Sequence, residues 1–393
     1  MNEAVIVSAA RTPISKEAGS LANLSPDIFG GEVVKEAVKK SGLQDLAAID
    51  EVIFGHCLGH QFGCMARHVT LKAGLPISVP GLTVDRQCGS GATAISITAA
   101  YIWAGLGDIY VAGGTESMTR VPYMIEKPTQ PFQRVNPAWA MYSTSTQEIG
   151  DPPMGITAEN VASKYNIGRE EQDEIAYLSQ IKAEKAIKEG RFKEQIVPIM
   201  IPQRKGDPLV FDTDEHPRFG ITKEALAKLR PVFKKEGSVT AGNCSGINDG
   251  AGAVVVMSKS KAEELGISPM VKVVAVACAG VDPNYMGMGP VPATRKVLAK
   301  AGMTLDQIDV IELNEAFAAQ SVACCNELGI NWRDNERFNP NGGAIALGHP
   351  IAGSLCMLNI KALYELKRTG KKYALVTACV GGGQGVAIIL ENI

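Results

Sequence analysis

The chain has 393 residues, 46% of them hydrophobic. That is enough to bury a large core and, at about 150 residues per domain, to form two or three domains without help from metals or disulfides. A formal net charge of −2 and a pI near 6.3 deny it the basic surface on which nucleic-acid binding depends, no apolar run approaches the roughly 20 residues that cross a bilayer, and a cytoplasmic protein without a signal peptide is expected.

Short β-branched runs alternate with amphipathic helical stretches, the signature of α/β architecture, with strands predicted at 5–8, 51–54, 109–112, 253–257, 271–277, 310–313 and 374–377. His56, His60 and His68 follow the second of these without a carboxylate at ligand spacing, and the nine cysteines form no CxxC pair. Neither pattern points to a metal site or a disulfide framework. Next comes Leu82-Thr83-Val84-Asp85-Arg86-Gln87-Cys88-Gly89-Ser90-Gly91, a short strand that stops at a cysteine, with a helix predicted over 92–104. A thiol at a helix N-terminus is expected to have a lowered pKa, because unpaired N–H groups and the helix dipole favour thiolate. A buried small hydrophobe is the other reading of such a cysteine.

From about residue 118 to 250 the texture changes: Pro, Asn and Thr cluster over 122–153, a charged helix is predicted over 169–190, and 204–235 has a local excess of charge. This looks like an insertion, and insertions on α/β scaffolds often hold the substrate. Downstream, Asn314-Glu315-Ala316-Phe317 puts polar side chains between a strand and a helix, where they serve as a cap or as a site. In Gly342-Gly343-Ala344-Ile345-Ala346-Leu347-Gly348-His349-Pro350, an imidazole precedes a proline suited to the first position of a helix reaching residue 368. It is a cap residue or a proton acceptor. The run Cys379-Val380-Gly381-Gly382-Gly383-Gln384-Gly385 is followed by a strand, so it has no helix to hold a pyrophosphate and reads as a hairpin that presents Cys379 and backbone donors.

An internal repeat ties these pieces together. The helix at 33–42 with Ile49-Asp50 and its strand has the same order as 294–302 with Ile308-Asp309 and its strand. Cys88, a helix, Gly107-Asp108 and a strand then parallel His349, a helix, Lys371-Lys372 and a strand.

In order and along nearly the whole chain, CGSG, GGTESM, MGITAEN, AGNCSGINDGAG, NEAFA, GGAIALGHP and CVGGGQG resemble the thiolase family. The resemblance implies a five-layered αβαβα fold made of two duplicated halves, with residues 1–117 and 251–269 as the first half, 118–250 as an inserted loop domain for CoA binding and assembly, and 270–393 as the second half. It implies reversible condensation of acetyl-CoA with an acyl-CoA, or thiolysis of a 3-ketoacyl-CoA. Coenzyme A is then a substrate, no cofactor or metal is needed, and the assembly is a homodimer or homotetramer. By the same resemblance Cys88 is the acylated nucleophile, His349 its base, Cys379 the acid/base for the α-proton, and Asn314 the holder of a water. Backbone N–H groups of Cys88 and Gly381 form an oxyanion hole. Arg218 contacts the adenine, Ser245 the pantetheine, and Met154, Phe233 and Met286 line the acyl tunnel. Two thiols are needed because one residue cannot both carry an acyl group and handle the α-proton of the second substrate.

Three departures from the family pattern stand out. Leu355 replaces a glycine after His349, and Pro153 and Gln384 pull toward a 3-ketoacyl-CoA thiolase of broader chain length. Cys244, where alanine is common, is expected to be inert. A ketoacyl synthase would need histidine in place of Asn314, and a hydroxymethylglutaryl-CoA synthase a catalytic glutamate. An inactive CoA-binding scaffold would be expected to lack Cys88, His349 or Cys379, and all three are present.

Overall fold

The computed structural model describes residues 2–59, 61–140 and 143–393, so His60 lies outside the described residues. Strands β1 (Ala4–Arg11), β2 (Glu51–Gly55), β3 (Gly81–Val84), β4 (Ile109–Ser117) and β5 (Asn248–Ser258) come with helices α1 (Pro26–Ser41) and α2 (Ser90–Ala104). Between β4 and β5 lie α3 (Met154–Lys164) and α4 (Arg169–Lys188), with two short hairpins. Strands β6 (Val271–Gly280), β7 (Val310–Leu313), β8 (Tyr373–Val380) and β9 (Gln384–Asn392) follow, with helices α5 (Pro290–Ala301), α6 (Ala318–Leu328) and α7 (Ile351–Thr369).

The strand order β7-β8-β9-β6-β1-β5-β4-β2-β3 is nearly a palindrome of two copies. In one copy β2 runs parallel to β4, which is antiparallel to β5; in the other β7 runs parallel to β8, which is antiparallel to β9. The copies meet where β1 and β6 pair antiparallel through Val5–Lys272 and Ile6–Val271. The second copy has only an isolated bridge, Ile311 to Phe338, where the first has β3. The repeat extends to single hydrogen bonds. Asp50 Oδ2 accepts from the N–H groups of Asp108 (2.7 Å) and Ile109 (2.9 Å), and Asp309 Oδ2 accepts from those of Lys372 (3.0 Å) and Tyr373 (2.9 Å).

Three apolar clusters fill the spaces between five layers. Phe29, Val33 and Val34 of α1 pack on Val111, Val255 and Met257. On the far side of those strands, Val254 and Val256 face a central layer made of α2 and α7, which also meets Val376, Val386 and Ile388 of the second copy. Val291 and Val297 of α5 and Val322 of α6 cover the remaining face, against Leu375, Ala387 and Ile389. Strands covered on both faces need apolar residues at every position, which is why they read as unbroken hydrophobic runs. Leu355, the departure in α7, is fully buried in the central layer and fills it.

The elements differ from expectation mainly at their ends. The helix expected over 92–104 begins at Ser90, β8 and β4 outrun their predicted spans, and Pro350 stands at the N-cap of α7 rather than in its first turn. Hydrophobic pattern locates a helix or strand better than it locates its last residue.

One buried ion pair fastens the segment between β4 and β5 to the central strand. Arg11, at the end of β1, forms two hydrogen bonds with the Asp214 carboxylate (2.8 and 2.9 Å), donates to Gln195 Oε1 (2.8 Å), and lies over the Phe192 ring. The Asp214 side chain is fully buried and that of Arg11 3% exposed. Removing one partner of such a pair leaves an uncompensated charge, so Asp214→Ala is expected to cost about 3–5 kcal/mol of stability, and the apolar pair Arg11→Met with Asp214→Leu much less. Urea unfolding checks this; a loss below about 1 kcal/mol for Asp214→Ala would show that the pair is not sealed from water.

Candidate active site

The N-termini of the two central helices lie together because small residues let them. A Cβ on Gly91 of α2 would stand 2.7 Å from the backbone nitrogen of Cys356 in α7, and one on Gly114 of β4 would stand 2.2 Å from the Ala352 carbonyl oxygen. Glycine at both positions lets the start of α7 settle against α2 and β4. Cys88 sits on the turn that opens α2, and His349 just before the start of α7. The same turn packs on β8, whose penultimate residue is Cys379. Three segments far apart in sequence therefore meet at one point.

The turn under Cys88 is strained and clamped. Gln87 has φ of 44°, in the left-handed region that glycine normally occupies. Its N–H donates to Asp85 Oδ1 (2.8 Å), while Ser90 Oγ donates to the Gln87 carbonyl (2.7 Å) and accepts from the Arg86 N–H (2.8 Å). These bonds aim the cysteine at β8. Backbone N–H groups of Gly381 and of Cys88 itself point at the sulfur and favour its anion.

Even so, the expected lowering of the Cys88 pKa is not found. Part of the residue's surface remains open, but its sulfur lies deep, and burial outweighs the N–H groups and pushes the thiol up to about 11. Burial also raises Cys379 well above the ordinary thiol range, with the nearby charge of Cys88 adding to it, so the two sulfurs share one environment. His349 goes the other way: burial lowers it to about 4 and keeps the imidazole neutral. Its Nδ1 lies 2.6 Å from Ser354 Oγ, and Asn314 Nδ2 stands 3.5 Å from Nε2. With the Nδ1 proton donated to Ser354, Nε2 presents a lone pair, as a base requires.

Asn314 follows β7, and its backbone N–H donates to the Thr377 carbonyl of β8 (3.0 Å). It is not a helix cap, since α6 starts at Ala318. Asn339, with φ of 40°, accepts from the Leu313 N–H (2.9 Å) and donates to the Leu313 carbonyl (3.0 Å) and to Glu315 (2.6 Å). Glu315 also accepts from Ser179 Oγ (2.6 Å) and from the Ile345 N–H (3.3 Å). A Cβ on Gly343 would fall 2.1 Å from that carboxylate carbon. Glu315, Asn339 and Ser179 thus tie the Asn314 loop, the loop that leads to His349, and α4 into one buried unit. Sequence reasoning placed Glu315 inside a motif but assigned it nothing, and missed Asn339, Ser354 and Ser179.

The other expected residues surround Cys379 unequally. Met286, Ala316 and Phe317 share its apolar cluster, with Met154 and Cys244 packed against it, and Phe233 meets Phe317 edge to face at 6.2 Å. The Ser245 N–H donates to the Ala316 carbonyl (3.0 Å). Arg218 lies further out and exposed, its backbone held by Gln180, with its charge felt by Cys244 and His216. Burial lifts the Cys244 thiol to about 11, the level that Cys88 also reaches. Burial alone would depress His56, but Glu116 Oε1 at 3.1 Å and the Thr115 carbonyl at 2.9 Å outweigh it and raise its pKa. A carboxylate does accompany His56, therefore, supplied by a distant strand and forming a buried pair. His68 stands 3.9 Å from Asp27.

Comparison with known proteins matches both halves of the chain. Residues 4–260 match the model described as "Thiolase, N-terminal domain" and residues 267–392 "Thiolase, C-terminal domain". An acetyl-CoA acetyltransferase of Syntrophomonas wolfei is 49% identical over 396 residues, covering 99% of both chains. The crystal structure of the Bacillus anthracis acetyl-CoA acetyltransferase superposes with a TM-score of 0.95 at 43% identity, and that of human mitochondrial 3-ketoacyl-CoA thiolase with 0.94 at 37%. Each match covers 100% of this chain and 99% of the other.

The Ser354 contact is open to test, because it selects the tautomer of His349. Ser354→Ala is expected to lower kcat about 10- to 100-fold, corresponding to about 1–3 kcal/mol for a lost buried hydrogen bond, with KM nearly unchanged. Steady-state kinetics on a variant of unaltered thermal stability checks it; wild-type kcat would show that Ser354 does not set the tautomer.

Proposed function

The chain belongs to the thiolase family and is an acyltransferase, and we propose that it works as an acetyl-CoA acetyltransferase in which Cys88 carries the acetyl group. The observation that carries the assignment of roles is the meeting of Cys88, His349 and Cys379 at one buried point, with the Gly381 and Cys88 N–H groups aimed at the nucleophile. Relatives of matching length that bear the name acetyl-CoA acetyltransferase support the choice of substrate. The presence of all three reactive residues disfavours an inactive scaffold.

In this reading, acylation begins when His349 Nε2 takes the Cys88 proton and the sulfur attacks the thioester carbonyl of acetyl-CoA. The oxyanion is held by the two backbone N–H groups, preorganised donors where charge develops. As the carbon–sulfur bond to CoA breaks, Cys379 gives its proton to the departing sulfur. Acetyl-Cys88, an imidazolium and a Cys379 thiolate result. A thiolate whose conjugate acid has a raised pKa is a stronger base, which suits removal of the α-proton from a second acetyl-CoA. The enolate, held by His349 and an Asn314-bound water, attacks acetyl-Cys88. Acetoacetyl-CoA forms, and the imidazolium returns its proton to Cys88. Thiolysis is the reverse, and coenzyme A is consumed or released as a substrate rather than kept as a cofactor.

Residues 118–250 serve, in the same reading, as the CoA-binding and assembly domain inserted in a first half of 1–117 and 251–269, with 270–393 as the second half. Arg218 reaches the adenine, Ser245 the pantetheine, and Met154, Phe233 and Met286 the acyl tunnel. The paired strands Tyr123–Met124 and Ala138–Trp139 and the segment that joins them expose Tyr123 (76%), Ile125 (63%) and Phe132 (102%), a surface suited to burial between copies in a homotetramer. Among the described residues no helix is long and apolar enough to cross a membrane, in keeping with a cytoplasmic enzyme.

Mixing with acetyl-CoA is expected to leave one acetyl group on the peptide holding Cys88, and Cys88→Ala to abolish both transfer and thiolysis. Cys379→Ser should keep acetylation far better than condensation, since a hydroxyl is a much weaker acid/base at neutral pH. Peptide mass spectrometry reads the first, and parallel acetylation and condensation assays the second. Acetyl on Cys244 or Cys379 alone would overturn the assignment.

A further inference from the structure

His349 is fixed from two sides, and only one of them is the Ser354 contact to its ring. On the other side its backbone N–H donates to Asn248 Oδ1 (2.9 Å). Asn248 is fully buried at the first position of β5, 101 residues from His349. Its Nδ2 donates to the Ser15 carbonyl (3.0 Å) and lies 3.2 Å from His216 Nδ1. The side-chain amide is therefore used on both ends, and its orientation is fixed: the oxygen faces the His349 N–H, and the nitrogen faces a carbonyl and a ring nitrogen. Gly348, with φ of 105°, lets the chain pass against this amide, because a Cβ there would stand 2.7 Å from its carbon. A backbone held in that conformation immediately before the base needs a partner that over-determines it.

His216 is itself well suited to receive this bond. Burial and the nearby Arg218 hold it neutral, with a pKa of about 4, and with the ring proton on Nε2 its Nδ1 accepts from Asn248 Nδ2. Its ring rests against Gly246. Its neighbour Glu215 accepts from Ser15 Oγ (2.6 Å) and from the Ser20 N–H (2.9 Å), and Asp214 is bound to Arg11. Residues 214–216 are thus bolted to the segment following β1, and Asn248 joins that bolted segment to the backbone of His349.

We propose that Asn248 is the positioning residue that seats His349, and that His216 fixes the orientation of its amide. The proposal rests on the reading of His349 as the base. Neither residue meets the reacting atoms. Asn248 acts through the backbone of His349, and His216 acts through Asn248.

The test is steady-state thiolysis of acetoacetyl-CoA by the full-length enzyme and three variants, with thermal melting alongside. The wild-type assay, run first, tests the reading of function by itself, since absence of thiolysis there would sink that reading before any variant is compared. Asn248→Ala is expected to lower kcat about tenfold or more, the scale on which small misplacements of a catalytic group act, with KM within about twofold. His216→Ala is expected to lower kcat about threefold, and His216→Gln, whose amide oxygen accepts the same hydrogen bond, to restore it. A general loosening of the substrate arm would instead raise KM in both His216 variants. Asn248→Ala with unaltered kcat overturns the proposal, as does His216→Gln no better than His216→Ala; the His216 pair decides the matter if Asn248→Ala does not fold.

Discussion

The close approach of two helix N-termini inside the central layer is the constraint on which the site depends. Helices α2 and α7 are covered on both sides by strands, so they are apolar nearly all round and fixed against each other. Gly91 and Gly114 remove the side chains that would hold them apart. Once they touch, Cys88 and His349 share one pocket, and the turn under Cys88 rests on β8 beside Cys379. A single added methyl at Gly91 would meet the α7 backbone, which yields less readily than a side chain, and would part His349 from Cys88.

That same packing sets the electrostatics. Helix N-termini and backbone N–H groups favour an anion at Cys88, but both helices begin inside the protein and solvent is displaced around Cys88 Sγ, Cys379 and His349. Burial dominates: thiols rise and imidazole falls. The resting site is neutral, and in the proposed mechanism charge appears only when substrate brings a carbonyl into the two N–H groups. A neutral resting pair also leaves the strained Gln87 turn free of ionic repulsion from the carboxylates of Asp85 and Glu116, both of which raise the Cys88 pKa.

Much of this was legible in the sequence, and the exceptions have physical causes. Strand 310–313 agrees with β7 at both ends, and the Ile-Asp repeat foretells Asp50 and Asp309 accepting equivalent pairs of N–H groups. The glycine run at 381–383 forms a hairpin between β8 and β9, as the strand after it implied. The Cys88 pKa was misread because a helix N-terminus is visible in a local segment whereas burial is a property of the whole packed layer. Ser354 lies five residues from His349, yet nothing in Ala352-Gly353-Ser354 marks a hydroxyl aimed at a ring. Asn248, Glu315 and Asn339 work through partners 24 to 233 residues away, and polar residues inside glycine-rich motifs look like turn chemistry until the chain is folded.

The central claim, that packing of α2 against α7 buries a neutral thiol and a neutral imidazole, is tested most directly by the pH dependence of Cys88 alkylation with iodoacetamide in the substrate-free enzyme. Peptide mass spectrometry isolates the rate at this one of nine cysteines. With the thiol near 11 and His349 near 4, no thiolate–imidazolium pair is populated at neutral pH, and the rate should rise in proportion to hydroxide from about pH 6 to 9. A rate that is already high and flat across about pH 5–8 would reveal a preformed ion pair and contradict the account.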